Sequence, residues 1–270
     1  MSNRLLDGKV VVVLGASTEG GIGWATAETM AREGAKVVVA ARNVKNLTVL
    51  ADKLNGIAIR CDATKQEDVI ALADRVGEQL GKVDAAVYCA GSTVFSMIEN
   101  TDAAILRDAL DVHFLGGFYF LKEMSRAIGH DGAITFISSI GATNPIDGSI
   151  AYACAKGAIG VLTRYAALEF SPRKIRVNCV FPGVIDTPMT AGAIGDPLMR
   201  KVFEREVPLG RVGQVGDVAE CIAFLSSERA GYITGAFLPI DGGNFMTRMP
   251  RSDEWPSLEQ RNRSLERTST

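Results

Sequence analysis

Two hydrophobic rhythms alternate along this chain. Short unbroken apolar runs rich in β-branched residues suit strands buried on both faces, and they are separated by segments whose apolar positions recur at helical spacing. Lys9–Leu14 (KVVVVL), Lys36–Ala41 (KVVVAA), Ile57–Cys61 and Ala85–Cys89 (AAVYC) predict four strands. Trp24–Glu33, closed by Gly34, then Val44–Leu54 and Val69–Leu80 predict the helices between them. Further along, Ala103–Ile128 reads as mainly helical, Ala133–Ile137 as a strand, Ile150–Phe170 as a long helix, Ile175–Val180 as a sixth strand and Phe237–Ile240 as a seventh. This alternation predicts an α/β fold: a single-domain, Rossmann-like, doubly wound parallel sheet of about seven strands with helices on both faces.

No Pro/Gly/Ser-rich linker divides the chain. Residues 1–247 therefore read as one domain. Pro188–Gly213 breaks the rhythm and is expected to be an insertion over the functional site. Residues 248–270 form a polar tail of arginine, glutamate and serine, expected to be disordered or to dock on a neighbouring subunit with Trp255 as anchor.

Composition narrows the functional classes. At 270 residues, with 47% hydrophobic and 22% charged residues, the chain can bury a core without a disulfide or metal staple. A net charge of −2 with no lysine/arginine block argues against a nucleic-acid partner. The five cysteines (Cys61, Cys89, Cys154, Cys179 and Cys221) are scattered without a CxxC pair, and only His113 and His130 accompany them. The expectation is therefore no metal site, and small buried thiols in a reducing cytoplasm. The N-terminus MSNRLLDGK lacks the apolar stretch of a signal peptide, and no apolar run reaches membrane-span length.

Between the first strand and first helix lies a glycine-rich loop from Gly15 through Ser17 to Gly21-Ile22-Gly23. Glycines there permit a tight turn and let backbone approach a pyrophosphate placed at a helix N-terminus. The end of the second strand, where an acid would hold an NAD ribose, carries Ala41-Arg42-Asn43. Arg42 can pair with a 2′-phosphate, which favours NADP with NAD as the alternative; an ordinary surface arginine is the other reading. Asp62, after the third strand, can accept from an adenine amino group or serve as a solvated loop acid. Ala90 and Gly91, after the fourth strand, offer backbone clearance for a flat cofactor.

Tyr152 and Lys156 stand four residues apart in a helical segment, on one face. An ammonium beside a phenol lowers the phenol pKa and makes it a proton donor or acceptor near neutral pH. Ser139, after the fifth strand, is expected back beside the phenol to bind a substrate oxygen; its neighbour Ser138 reads as a turn cap.

In this order and spacing, the glycine loop, Asp62, Ala90-Gly91, Ser139, Tyr152, Lys156, Pro182-Gly183 with Thr187, and Asp241-Gly242-Gly243 resemble the short-chain dehydrogenase/reductase family from about Leu6 to Phe245. The resemblance implies a dinucleotide-binding and catalytic domain that moves hydride between nicotinamide and a secondary alcohol or ketone. It further implies Tyr152 as acid/base, Ser139 orienting the substrate oxygen and Lys156 holding the nicotinamide ribose. Pro182, Gly183 and Val184 would line the nicotinamide, and Thr187 would bind its carboxamide. A homotetramer or homodimer built on the long helices is implied too; the small residues Ala153, Ala155, Gly157 and Gly160 either allow close packing there or face the sheet.

Three features depart from the family pattern. Gly15 and Gly21 enclose five residues rather than three, which predicts a longer loop. Tyr88-Cys89 stands where two asparagines usually brace the central strands. His113 takes the place of an asparagine that supports a proton relay to the lysine; it reads either as a relay imidazole, which asparagine would replace and leucine would not, or as a packed helix histidine.

Ile140, Gly141, Ala142, Ile146, Val184, Met189 and Phe203 are expected to wall the substrate, with no cation set for a carboxylate, so a neutral hydrophobic, cyclic, aromatic or steroid-like substrate is expected. Arg200 and Lys201 keep a 3-oxoacyl thioester reductase as the alternative. A non-catalytic nucleotide-sensing or scaffold protein is the alternative from another class.

Overall fold

The computed structural model of the chain describes residues 4–257, 260 and 261. Seven parallel strands form one sheet: β1 (Val10–Leu14), β2 (Lys36–Ala41), β3 (Ile57–Arg60), β4 (Ala85–Tyr88), β5 (Gly132–Ile137), β6 (Ile175–Pro182) and β7 (Phe237–Ile240). Their order across the sheet is β3-β2-β1-β4-β5-β6-β7. Every residue of β1 is buried, as its unbroken valine run requires. Alternate residues feed two apolar layers: Val10, Val12 and Leu14 pack with Phe120 and Phe136 on one face, while Val11 and Val13 pack with Trp24, Met30 and Leu47 on the other. Because β1 pairs with both β2 and β4, the winding reverses there, and the crevice beyond their C-terminal ends is where such a sheet takes a ligand.

The helices are α1 (Ile22–Arg32), α2 (Val44–Leu54), α3 (Gln66–Leu80), α4 (Ala103–Leu110), α5 (Gly116–Ile128), α6 (Ile150–Phe170), α7 (Ala191–Ile194), α8 (Pro197–Glu204) and α9 (Val215–Ser226). The expected helix over 103–128 is interrupted by a π-helical turn, Asp111–Leu115. Pro188–Gly213 is no irregular insertion throughout, since it contains α7 and α8, the latter opened by the Asp196 carboxylate accepting from Leu198 and Met199 N–H. The sequence reading has no counterpart for α9. A Gln214/Asp217 capping box starts it, and Val218, Ala219, Ile222, Ala223 and Leu225 bury its inner face.

The chain also packs past residue 247, where the sequence reading ended the domain. Met249 is only 7% exposed and joins the core layer containing Ile140, Met199 and Phe203. Arg248 pairs with Glu206 and Glu254, and both the backbone N–H and the hydroxyl of Ser252 donate to Asp147. Residues 248–257 thus strap their own chain across α8 and the loop before α6. Residues 258, 259 and 262–270 lie outside the described residues.

Candidate active site

At the crevice, Gly15 has φ +102°, and a Cβ there would sit 2.3 Å from the Ala90 nitrogen. A Cβ on Gly23 would lie 2.3 Å from the Gly15 carbonyl oxygen. These two glycines therefore let α1, β1 and the end of β4 converge. The two extra loop residues are taken up by a turn: the Gly21 N–H donates to the Thr18 carbonyl at 2.9 Å, with Gly20 at φ +73°. The Asn46 amide donates to the Ser17 carbonyl and fixes the loop's other limb. No side chain caps α1 at Gly21 and no acid occupies its first turn, so the helix itself supplies no anion to its N-terminal N–H groups. An uncapped helix end behind a glycine turn, with half-buried Ala90 and exposed Gly91 beside it, fits the pyrophosphate and flat rings of a dinucleotide.

Arg42 is exposed at the end of β2, close enough to Asp62 for its charge to help hold that carboxyl below its usual range. The loop-acid reading of Asp62 is realised in part, because its Oδ1 accepts from both the backbone N–H and the hydroxyl of Thr64. Asp62 is half-buried, and these Thr64 bonds oppose the larger upward pull of burial on it. Pro182 and Gly183 end β6, where a Cβ on Gly183 would press Asp241 at 2.9 Å. The Thr190 hydroxyl donates to the Ile185 carbonyl, so its hydrogen is spent and the Thr187 hydroxyl donates to it at 3.0 Å. The Thr187 oxygen accepts from the Thr190 N–H at 3.3 Å, which leaves it one lone pair for an amide N–H.

Tyr152 and Lys156 share the inner face of α6, with the ammonium 5.6 Å from the phenol ring centre. Ser139 stands at the end of β5 with its hydroxyl facing the phenol, and it also caps the short turn that follows by accepting from the Gly141 N–H at 3.1 Å. Capping, expected of Ser138, thus falls to Ser139; Ser138 instead donates to the Lys156 carbonyl at 2.8 Å. The expectation that Lys156 depresses the Tyr152 pKa is not met. Burial raises the phenol above its ordinary value and the Ser139 hydroxyl is what pulls against it. Lys156 is itself lowered to about 8 by burial, its Nζ committed to the Ile137 carbonyl at 2.7 Å.

His113 lies on the π-helical turn with its ring edge-on to Tyr152, centroids 5.2 Å apart at 88°. Burial first, then the Lys156 charge, lowers its pKa to about 3, so the imidazole is neutral. Tyr88, which stands where one of the two asparagines was expected, is buried. Its ring packs against Phe120 and Phe136, and its hydroxyl donates to the Val112 carbonyl in the same π-helical turn. Such a turn interrupts the regular helix ladder and presents carbonyls to outside donors.

Of the expected substrate wall, Ile146 and Val184 are half-buried against the core, whereas Ile140 and Phe203 lie within it and Met189 is largely exposed. Arg200 pairs with Asp186 at 2.5 Å and is not an open cation. The sequence reading missed Val94 and Phe95, exposed apolar residues on the segment after β4 that a parallel bridge, Ser96 to Ser149, lays beside the start of α6. It also missed Ser92, whose carbonyl meets His113, and no periodicity or motif signals either contact. Among the described residues there is no cluster suited to a metal ion, and no helix long and apolar enough to cross a membrane.

The family model described as Enoyl-(Acyl carrier protein) reductase matches residues 15–244. The chain is 37% identical over 257 residues to the 3beta-hydroxysteroid dehydrogenase 1 of Eggerthella lenta, covering 91% of this chain and 96% of that protein. It is 37% identical over 245 residues to the cis-4-hydroxycyclohexanecarboxylate dehydrogenase of Sinomonas cyclohexanicum, covering 87% and 96% respectively. The solved structure of a short-chain type dehydrogenase/reductase from Mycobacterium ulcerans aligns with a TM-score of 0.86 at 29% identity, over 91% of this chain and 92% of its own.

Proposed function

The chain belongs to the short-chain dehydrogenase/reductase family, whose members are oxidoreductases using NAD(P), and from that premise we propose that it interconverts a secondary alcohol and a ketone on a neutral, hydrophobic, cyclic substrate. The observation that carries this reading is the setting of Tyr152, half-buried on α6 with the Ser139 hydroxyl facing its oxygen and Lys156 one helical turn behind.

Bound in the crevice, the dinucleotide supplies or takes the hydride. Gly15, Ser17, Gly21, Ile22 and Gly23 would hold its pyrophosphate end, Asp62, Ala90 and Gly91 its adenosine and ring planes, and Pro182, Gly183, Val184 and Thr187 its nicotinamide. In the oxidative direction, Tyr152 in its phenolate form takes the proton of the substrate hydroxyl; in the reductive direction, the Tyr152 hydroxyl gives its proton to the substrate oxygen. Ser139 donates to that substrate oxygen and fixes its position. Lys156, buried and pulled down to about 8, loses and regains a proton at little cost near physiological pH, which suits it to restoring the protonation state of Tyr152 and to holding the ribose hydroxyls. Arg42 favours NADP over NAD.

The apolar lip of Val94 and Phe95 and the half-buried Ile146 and Val184 support a hydrophobic substrate. The Arg200–Asp186 pair weighs against a phosphate-bearing acyl thioester, because the guanidinium is already neutralised. A second copy of this chain is the partner proposed for α6. Val161, Tyr165 and Leu168 form an outward stripe at 59, 65 and 73% exposure, beside Gly157, whose missing side chain faces open space. Ala155 and Gly160 are buried, which is the sheet-facing alternative of their reading.

The experiment is absorbance-monitored turnover of cyclic ketones and alcohols, and of acyl thioesters, with both cofactors in both redox states. Turnover of cyclic substrates that Tyr152→Phe removes supports the reading, and turnover of thioesters alone overturns the substrate class.

A further inference from the structure

His113 is 1% exposed, and its Nε2 lies 2.7 Å from the Ser92 carbonyl oxygen. A carbonyl only accepts, so Nε2 carries the ring's hydrogen and Nδ1 carries a lone pair alone. Among the described residues, Nδ1 has no hydrogen-bond partner. The ring fills a slot cut for it: a Cβ on Gly91 would stand 2.6 Å from its Cε1, so the loop after β4 must be glycine where the imidazole passes. The imidazole also meets the Tyr152 ring, the two planes nearly perpendicular.

One side chain therefore joins three elements: the π-helical turn that carries it, the loop after β4 through Ser92, and α6 through Tyr152. A shuttle that carries the proton on the ring would have to load Nδ1. With the ring held at about 3, only about one molecule in 10⁴ does so at neutral pH. The charged and titratable groups around it are Tyr152 and Lys156 from α6, with Cys89 after β4 and Cys179 on β6 behind the lysine, and both of those thiols are raised by burial to about 12. None of them supplies the negative charge needed to keep an imidazolium there.

We propose that His113 is a positioning residue for Tyr152: anchored by its Nε2–H on the Ser92 carbonyl, it braces the phenol ring edge-on and keeps water from that side of it. This rests on Tyr152 being the acid/base of the preceding section. It makes the packed-histidine reading specific, as the alternative to a relay imidazole, and predicts that asparagine is not an equivalent. Asparagine can give an N–H to Ser92 but presents no ring to Tyr152.

The test uses the full-length chain as wild type, His113→Asn and His113→Leu, each also carrying Tyr152→Phe. Subtracting the Tyr152→Phe curves from a tyrosinate absorbance titration isolates the Tyr152 phenol without any need for turnover. With the ring gone, water reaches the phenol and its titration midpoint falls by about half a unit or more in both variants. In steady-state assays, kcat falls about tenfold in His113→Leu and roughly threefold in His113→Asn, with cofactor KM within about twofold of wild type. Variants are compared after circular dichroism matches wild type, and the asparagine variant serves alone if the leucine variant does not fold. An unmoved phenol midpoint overturns the proposal, and so does an asparagine variant equal to wild type in both readouts. An inactive wild type whose phenol still shifts would count against the catalytic reading and leave the brace standing.

Discussion

Ser138 and Lys156 grip each other across the base of the site. The serine hydroxyl donates to the lysine carbonyl at 2.8 Å, and the lysine Nζ returns to the carbonyl of Ile137, the residue before that serine. This double link fixes where α6 sits on the end of β5, and hence where Tyr152 stands relative to Ser139. Ser138→Ala removes one half of it at a buried position. The expected cost is about 1–2 kcal/mol in urea unfolding, with kcat reduced more than cofactor KM.

Lys156 gives the protein a particular pH dependence. Burial lowers its folded pKa to about 8 from the ordinary lysine value of 10.5. Between those values the unfolded chain holds a proton that the folded chain does not, so stability rises with pH through this window, and below it the burial penalty is felt in full. Against a Lys156→Met control, which cancels the other groups, wild-type stability should gain about 1–2 kcal/mol between pH 7 and pH 9.5, measured by urea unfolding. A difference that stays flat would mean that Lys156 remains charged in the folded protein.

Arg42 is expected to set the cofactor preference. Exposed at the end of β2, it can reach a 2′-phosphate without disturbing the fold, and Arg42→Ala should raise the NADPH KM by about tenfold or more while leaving the NADH KM within about twofold. Equal effects on both cofactors would place Arg42 on their common part.

The strap after residue 247 should matter to stability before it matters to chemistry. Met249→Ala empties a buried position, with an expected loss of about 2–3 kcal/mol in urea unfolding. Asp147→Ala releases Ser252 from the loop before α6 and should cost about 0.5–1 kcal/mol in urea unfolding while leaving substrate KM within about twofold.

On the outer face of α6, Leu168→Glu places a charge in the exposed stripe with Val161 and Tyr165. Light scattering behind size-exclusion chromatography should show a smaller species than wild type. Identical masses would exclude this face as the contact between copies.

Much of this architecture was legible in the sequence because strands buried on both faces write themselves as continuous runs. Val10–Leu14 and Lys36–Ala41 needed no tertiary information. The Tyr152/Lys156 pair was equally legible, since helical spacing alone places both on one face. What escaped depends on contacts distant in sequence. The π-helical turn at Asp111–Leu115 exists where Tyr88 reaches the Val112 carbonyl, and nothing local in DVHFL announces it. The direction of the Tyr152 shift was misjudged because spacing reports proximity of an ammonium but not the burial that outweighs it. Helix α9 carried its signal openly, with Asp217 three residues after Gln214 ahead of Val218 and Ile222, and it could have been read. The strap was hidden because Met249 is one apolar residue in a polar stretch, and only the pocket it fills distinguishes it.

The most direct measurement is NAD(P)H absorbance during turnover of cyclic ketones and alcohols by wild type and Tyr152→Phe, with cofactor binding followed in parallel by nucleotide fluorescence. The account predicts wild-type turnover, a loss of about 10²-fold or more in kcat for the phenylalanine variant, and unchanged cofactor affinity. Undiminished turnover by Tyr152→Phe would contradict it.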